Sequence, residues 1–179
     1  MTKTKLHLGC GHNKMEGYVN IDIDPRCEPD IVTDLSKGIP FEDGSVDEIF
    51  SDNFVEHIED FESFFKEMHR VLKPKGIVKT FVPYQTQPAS ILYNHCHRFN
   101  YCYIYYYFTL HQSEFELMDI KFNFLEKYKT GVVKVFLWFY FLIPRIIASK
   151  SPSTYEWFLK YRYPASKLEF TLRKNEASE

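Results

Sequence analysis

The residues best suited to chemistry in this 179-residue sequence are two glycines and the acids that follow them. Leu6-His7-Leu8-Gly9-Cys10-Gly11-His12-Asn13 is an apolar run ending in Gly-x-Gly, and Asn20-Ile21-Asp22-Ile23-Asp24-Pro25 is a second ending in carboxylates. Glycine lets the backbone turn sharply and approach a ligand closely, because no Cβ intrudes. A carboxylate at the neighbouring strand tip can accept hydrogen bonds from a ribose diol, and ligands of open α/β sheets sit outside such tips. The longer Gly-x-Gly-x-x-Gly fingerprint is absent, since Lys14 stands at its third glycine position.

His95-Cys96-His97, with Cys102 and His111, also invites a metal reading. Their spacing matches no common zinc pattern, so polar residues on a helix or lid are the preferred reading and no metal is expected. Cys10, Cys27, Cys96 and Cys102 form no Cys-x-x-Cys pair, which predicts a reduced, cytoplasmic chain.

The elements that must position these groups follow from the apolar pattern. Residues 5–8, 18–23, 30–35 and 46–51 read as short strands, and only nine residues lie between Leu8 and Tyr18. That is too short for an ordinary crossover helix, so a loop or single turn is expected there. Phe61, Phe64, Phe65, Met68, Val71 and Leu72 recur at helical spacing. Lys73-Pro74-Lys75-Gly76 stops that helix, and residues 77–82 form a fifth strand. Strands alternating with crossovers imply a mostly parallel sheet. The length suits one domain. A net charge of −2 argues against a nucleic-acid partner. Met1 to Lys5 is polar and runs directly into the first strand, which predicts no secretory leader.

Five motifs, in order over residues 5–83, resemble class I S-adenosylmethionine-dependent methyltransferases: Leu6-His-Leu-Gly-Cys-Gly11, Ile21-Asp22-Ile-Asp-Pro25, Pro40-Phe-Glu-Asp-Gly-Ser-Val-Asp47, Val55-Glu56-His57-Ile58 and Arg70-Val-Leu-Lys-Pro-Lys-Gly76. The resemblance implies a doubly wound, mostly parallel, seven-stranded-type α/β sheet closed by an antiparallel C-terminal strand. Residues 167–172 and 118–125 are expected to form that last pair. The domain divides into a cofactor half (1–83), a variable acceptor or lid insert (84–114), and C-terminal strands with an apolar helix (115–179).

The resemblance also implies S-adenosyl-L-methionine as cofactor and assigns roles by position. The backbone at Gly9, Cys10, Gly11 and His12 would hold the methionine portion. Asp22 would bind the ribose, with Ile23 beside it and Asp24 the lesser choice because Pro25 follows. Asp34 and Leu35 would border the adenine, and Ser51 to Asn53 would line the far side. The alternative is that Asp22 and Asp34 merely cap loops. Family members usually carry a full helix after the glycine motif; here it is abbreviated, as in members resembling Gly17-Tyr-Val-Asn-Ile-Asp22.

Methyl transfer mainly needs an acceptor atom aligned with the methyl carbon. If that atom is a hydroxyl oxygen, a general base helps. His57 is the first candidate and Asp52 the second, against structural roles for each; Asp47 is expected to bond backbone amides. Arg98 and His97 could contact an anionic acceptor. Tyr101 to Phe108 occupies the acceptor-recognition insert and reads either as a stacking surface or as a packed helix face. The apolar run within 132–147 is too short to span a membrane. It reads as a buried helix, or as an interfacial or partner-binding one. The tail 152–172 resembles those of small methyltransferases of surface-polysaccharide pathways. Together these give O-methylation of a small-molecule or saccharide acceptor as the expected activity, with a catalytically weak cofactor-binding or partner-binding module as the alternative. A nicotinamide-dependent dehydrogenase is disfavoured by the incomplete glycine fingerprint.

Overall fold

The short apolar runs of the sequence become strands of one sheet, and the long helical pattern becomes a helix packed in its core. The computed structural model describes residues 3–86, 95–110, 114–124, 142–160 and 165–175. The strands are β1 (Lys5–Leu8), β2 (Val19–Asp22), β3 (Ile31–Val32), β4 (Val46–Asp52), β5 (Leu72–Pro83), β6 (Phe115–Asn123) and β7 (Lys167–Lys174). Their order across the sheet is β3-β2-β1-β4-β5-β7-β6. All pairings from β3 to β5 are parallel, and β7 runs antiparallel to both β5 and β6. Chain order therefore reverses between β1 and β4, and the crevice outside their C-terminal ends is where such sheets hold ligands.

No helix separates β1 from β2, as the short spacing requires. Instead, the side chain of Asn20 stitches the connection. Its carbonyl oxygen accepts from the Met15 amide at 2.7 Å, and its amide donates to the Met15 and Tyr18 carbonyls. Asp30 in turn accepts from both the backbone and side-chain nitrogens of Asn20. Polar bonds thus replace the packing that a crossover helix would supply.

Helix α1 (Phe61–Val71) starts at Asp60, whose carboxylate accepts from the Ser63 amide at 2.9 Å. It ends where Leu72 turns extended, before Pro74. Its apolar stripe buries Phe61, Phe64, Phe65, Met68 and Val71, each worth about 1.5–3 kcal/mol of transfer free energy. On its other face Arg70 reaches the Ile39 and Phe41 carbonyls and the carboxylates of Asp43 and Glu67. It holds the turn that leads into β4. Asp47 plays the expected amide-bonding role, accepting from the Thr4 amide at 2.8 Å, and also pairs with Lys73.

Helix α2 (Tyr101–Leu110) buries Ile104 and Phe108. Phe108 packs against Phe65 of α1 and Phe170 of β7, so the packed-face reading holds for that side. Tyr105, Tyr106 and Leu110 are exposed. Helix α3 (Leu142–Lys150) is followed by a helical turn, Pro152–Thr154, and a π-helical turn, Tyr155–Leu159. Most of the 132–147 run lies outside the described residues. No described helix is long and apolar enough to cross a membrane.

Candidate functional site

The crevice between the β1 and β4 tips opens into a cleft of about 580 Å³, within the range of small-ligand sites. Each wall comes from a strand end. From β1, Gly9 and Gly11 turn the chain with φ of 65° and 48°. The Gly9 and Cys10 amides both donate to the Ile21 carbonyl, at 2.9 and 3.1 Å, which clamps the turn to β2. Gly9 is required on two counts. Its φ is strained for any side chain, and a Cβ there would lie 2.2 Å from the Phe54 ring.

From β2, Asp22 points back to the same turn. One of its oxygens accepts from the Gly11 amide at 2.7 Å and the other from the Asp24 amide at 3.0 Å. A carboxylate offers about four lone-pair directions, so each oxygen can still accept from a ligand hydroxyl. Asp24 is engaged differently. Arg26 grips it through Nε and Nη2, at 2.9 and 2.7 Å, and this pairing with the Arg26 amide bond holds its carboxyl at about 2. Ile23 projects into the cleft with 63% of its surface exposed, an apolar face left open beside the acid.

From β3, Asp34 caps the turn 35–37 by accepting from the amide and hydroxyl of Ser36, which hold its carboxyl low. It also lines the cleft with Thr33, Leu35 and Ser36. Capping and lining are therefore compatible at this position. From β4, Asn53 (φ 52°), Phe54, His57 and Ile58 complete the wall.

Of the residues singled out from sequence, Gly9, Gly11, Asp22, Ile23, Asp34, Leu35, Asn53 and His57 share this cleft. The structure places the others elsewhere. Ser51 is fully buried, its hydroxyl donated to Thr80 at 3.2 Å. Cys10 is buried below the turn, where loss of solvent pushes its thiol up. His12 faces Cys27, at 3.9 Å from Nε2 to Sγ. Asp52 pairs with Lys167 of β7 at 2.7 Å. Phe54 was not foreseen, although an aromatic directly after Ser51-Asp52-Asn53 at a strand tip is a legible signal.

His57 belongs to a 3₁₀ turn, Val55–His57, in which Glu56 is completely buried. The segment carrying His95 folds over that turn. The Cys96 and His97 amides donate to the Glu56 carbonyl at 2.8 and 3.3 Å, and the ring nitrogen of His97 lies 3.2 Å from the Glu59 carbonyl. The rings of His57 and His95 meet edge to face, with centroids 4.6 Å apart. Burial lifts the Glu56 carboxyl to about 7, with nearby Asp52 adding to the rise. Desolvation and the neighbouring His57 lower His95.

Two acids line the cleft, and no lysine or arginine does so among the described residues. A pyrophosphate would meet no counter-charge there, whereas a cationic nucleoside ligand meets carboxylates.

Residues 6–79 match the family model described as a methyltransferase domain. A comparison with curated proteins finds no match. Among solved structures, the chain is similar to one from the complex between the Haloferax volcanii Trm112 methyltransferase activator and a proposed methyltransferase (17% identity, TM-score 0.63, 98% of this chain and 84% of that one). It is also similar to a proposed sarcosine dimethylglycine methyltransferase from Galdieria sulphuraria (18%, 0.63, 97% and 79%). A third is the Haemonchus contortus phosphoethanolamine N-methyltransferase 2 in complex with S-adenosyl-L-methionine (16%, 0.55, 98% and 49%). These likenesses concern the fold.

Proposed function

We propose that this chain is a class I S-adenosylmethionine-dependent methyltransferase, a reading supported by its fold and by the methyltransferase-domain match of residues 6–79, and that it methylates a hydroxyl of a small-molecule or saccharide acceptor. The observation that carries the cofactor assignment is the cleft itself: a glycine turn and Asp22 locked together, acids on its walls, and no lysine or arginine among its described lining. Asp22 would take the ribose hydroxyls. Leu35 and Ile23 offer apolar faces for the adenine beside Asp34, and the Gly9–Gly11 turn would hold the methionine portion. When bound, the cofactor supplies a methyl group on a sulfonium that leaves readily.

The chain's own work is alignment. Phe54 and Ile58 close the wall next to His57, so an acceptor entering there would have its reacting oxygen within reach of the imidazole. His57 would take the hydroxyl proton. Oxygen rather than nitrogen as acceptor atom, and a saccharide or other small molecule as acceptor class, rest on the sequence resemblance.

The test is calorimetric titration with S-adenosylmethionine, S-adenosylhomocysteine and NAD, followed by a search for S-adenosylhomocysteine release with sugar nucleotides and glycolipids. Binding of the first two but not NAD, with turnover on a hydroxylated acceptor, is the expected result. Binding of NAD alone would overturn it.

A second reading, a cofactor-binding module acting mainly through a partner, draws on Ile143, Trp157 and Phe158, which are 68%, 74% and 79% exposed. Ile143 lies within the 132–147 run for which membrane or protein contact is proposed, and Trp157 and Phe158 follow it. Cofactor binding without turnover on any acceptor pool would favour it.

A further inference from the structure

We propose that Glu56, His57 and His95 form a site for a borderline divalent metal ion of the zinc type on the acceptor side of the cleft. Their ligand atoms, one carboxylate oxygen and two ring nitrogens, all lie within 4.8 Å of one another. Tetrahedral bonds of about 2.0–2.2 Å set ligand atoms roughly 3.3–3.6 Å apart, so the widest pair would close by a little over an ångström. A shift of that size is within reach of side-chain rotation.

A second observation points the same way. Glu56 has no exposed surface, yet both of its carboxylate oxygens lack a hydrogen-bond partner among the described residues, and so does Nδ1 of His95. A buried carboxylate in that state costs several kcal/mol unless something pairs with it. Lys167, whose charge reaches Glu56, pairs with Asp52 at 2.7 Å. A metal ion would satisfy the carboxylate and the imidazole together.

The backbone pre-sets the geometry. The Cys96 and His97 amides pin their segment to the Glu56 carbonyl, and this fixes His95 over the turn that carries the other two ligands. Two imidazoles and one carboxylate are a donor set that holds zinc with one position open, and they do not suit magnesium. His57 is the member that lines the cleft, so the open position would face the cleft. There an acceptor hydroxyl bound to the ion would lose its proton to solvent more readily, and with the ion in place His57 would act as its ligand rather than as the proton acceptor. That last consequence rests on the methyl-transfer reading; the metal site does not.

The test is titration of the metal-free full chain with Zn²⁺ and, separately, Co²⁺. It is repeated on Glu56→Gln, His95→Ala and Cys27→Ser, with S-adenosylmethionine affinity and thermal melting as fold controls. About one Zn²⁺ per chain and visible Co²⁺ absorption are expected for the wild type and Cys27→Ser. In the other two variants affinity should fall by more than the ~10–100-fold typical of losing an outer-shell partner. Absence of zinc binding by a folded wild type would overturn the proposal. So would binding that survives Glu56→Gln and His95→Ala but is lost in Cys27→Ser, where Cys27 and His12 would be the ligands. Failure to bind S-adenosylmethionine would instead count against the cofactor reading and leave the zinc result to be judged separately.

Discussion

Gly11 donates its backbone N–H to the carboxylate of Asp22 at 2.7 Å, so the tips of β1 and β2 act as one unit. Removing the acid therefore removes the brace of the glycine turn and, on the proposed reading, a contact to the ribose. Asp22→Ala is expected to weaken S-adenosylmethionine binding at least about tenfold, consistent with roughly 1.5–3 kcal/mol for hydrogen bonds to a charged group. Calorimetry on the two proteins checks this, and equal affinities would show that the ribose is held elsewhere.

Gly9 sits against the Phe54 ring with no room for a methyl group. Gly9→Ala should destabilise the fold by about 1–3 kcal/mol, the range for strain at a special backbone position combined with overpacking. It should also lower cofactor affinity. Adding Phe54→Ala should recover part of the stability by relieving the clash, while the positive-φ cost remains. Denaturant melts of the single and double variants measure both effects.

His57 lines the cleft beside Phe54 and Ile58. His57→Ala should reduce turnover by about 10²–10⁴-fold, the usual worth of a positioned proton acceptor, and leave cofactor affinity within a few-fold. Loss of both in equal measure would mark His57 as part of the cofactor's seat. Single-turnover kinetics alongside calorimetry separate the two.

Arg70 holds the Glu67 carboxyl below its ordinary value of 4.5, helped by the Ile39 amide. A group depressed in the folded state stabilises fully above its unfolded value and loses that contribution as pH falls through its folded one. Glu67→Gln should therefore cost stability near neutrality and flatten the decline below about pH 4.5. Melting temperature measured from pH 7 to pH 3 shows the slope. A parallel downward offset at all pH values would mean that the loss is one of packing.

Much of this molecule could be read in its letters because local chemistry and global packing agree. Asp60 caps α1, five residues at helical spacing go into the core, and Pro74 follows the end. The glycine turn and Asp22 were equally legible, since strand tips in an open sheet converge by topology. What escaped depends on contacts distant in sequence. Ser51 reads as a cleft residue, but its hydroxyl is taken by Thr80 on the adjacent strand. Glu56 falls within the Val55-Glu56-His57-Ile58 motif, and nothing nearby in sequence announces its burial. Its backbone carbonyl is held by the amides of Cys96 and His97, far along the chain. The metal reading of His95 with Cys96 and His97 missed Glu56 and His57 for the same reason. His97 turns to the Glu59 carbonyl, whereas His95 turns toward Glu56 and His57.

The place of β7, between β5 and β6 and antiparallel to both, has a consequence for the order of assembly on the ribosome. The β3-β2-β1-β4-β5 half can pair as it emerges. The β6 segment then waits without a neighbour in the sheet until residues 167–174 are synthesised. Until then β5 and β6 both present open edges, which are templates for wrong pairing with another chain. A nascent polypeptide halted ahead of β7 is thus a natural client for holding chaperones, and the wedge-like entry of β7 is the step that ends the dependence.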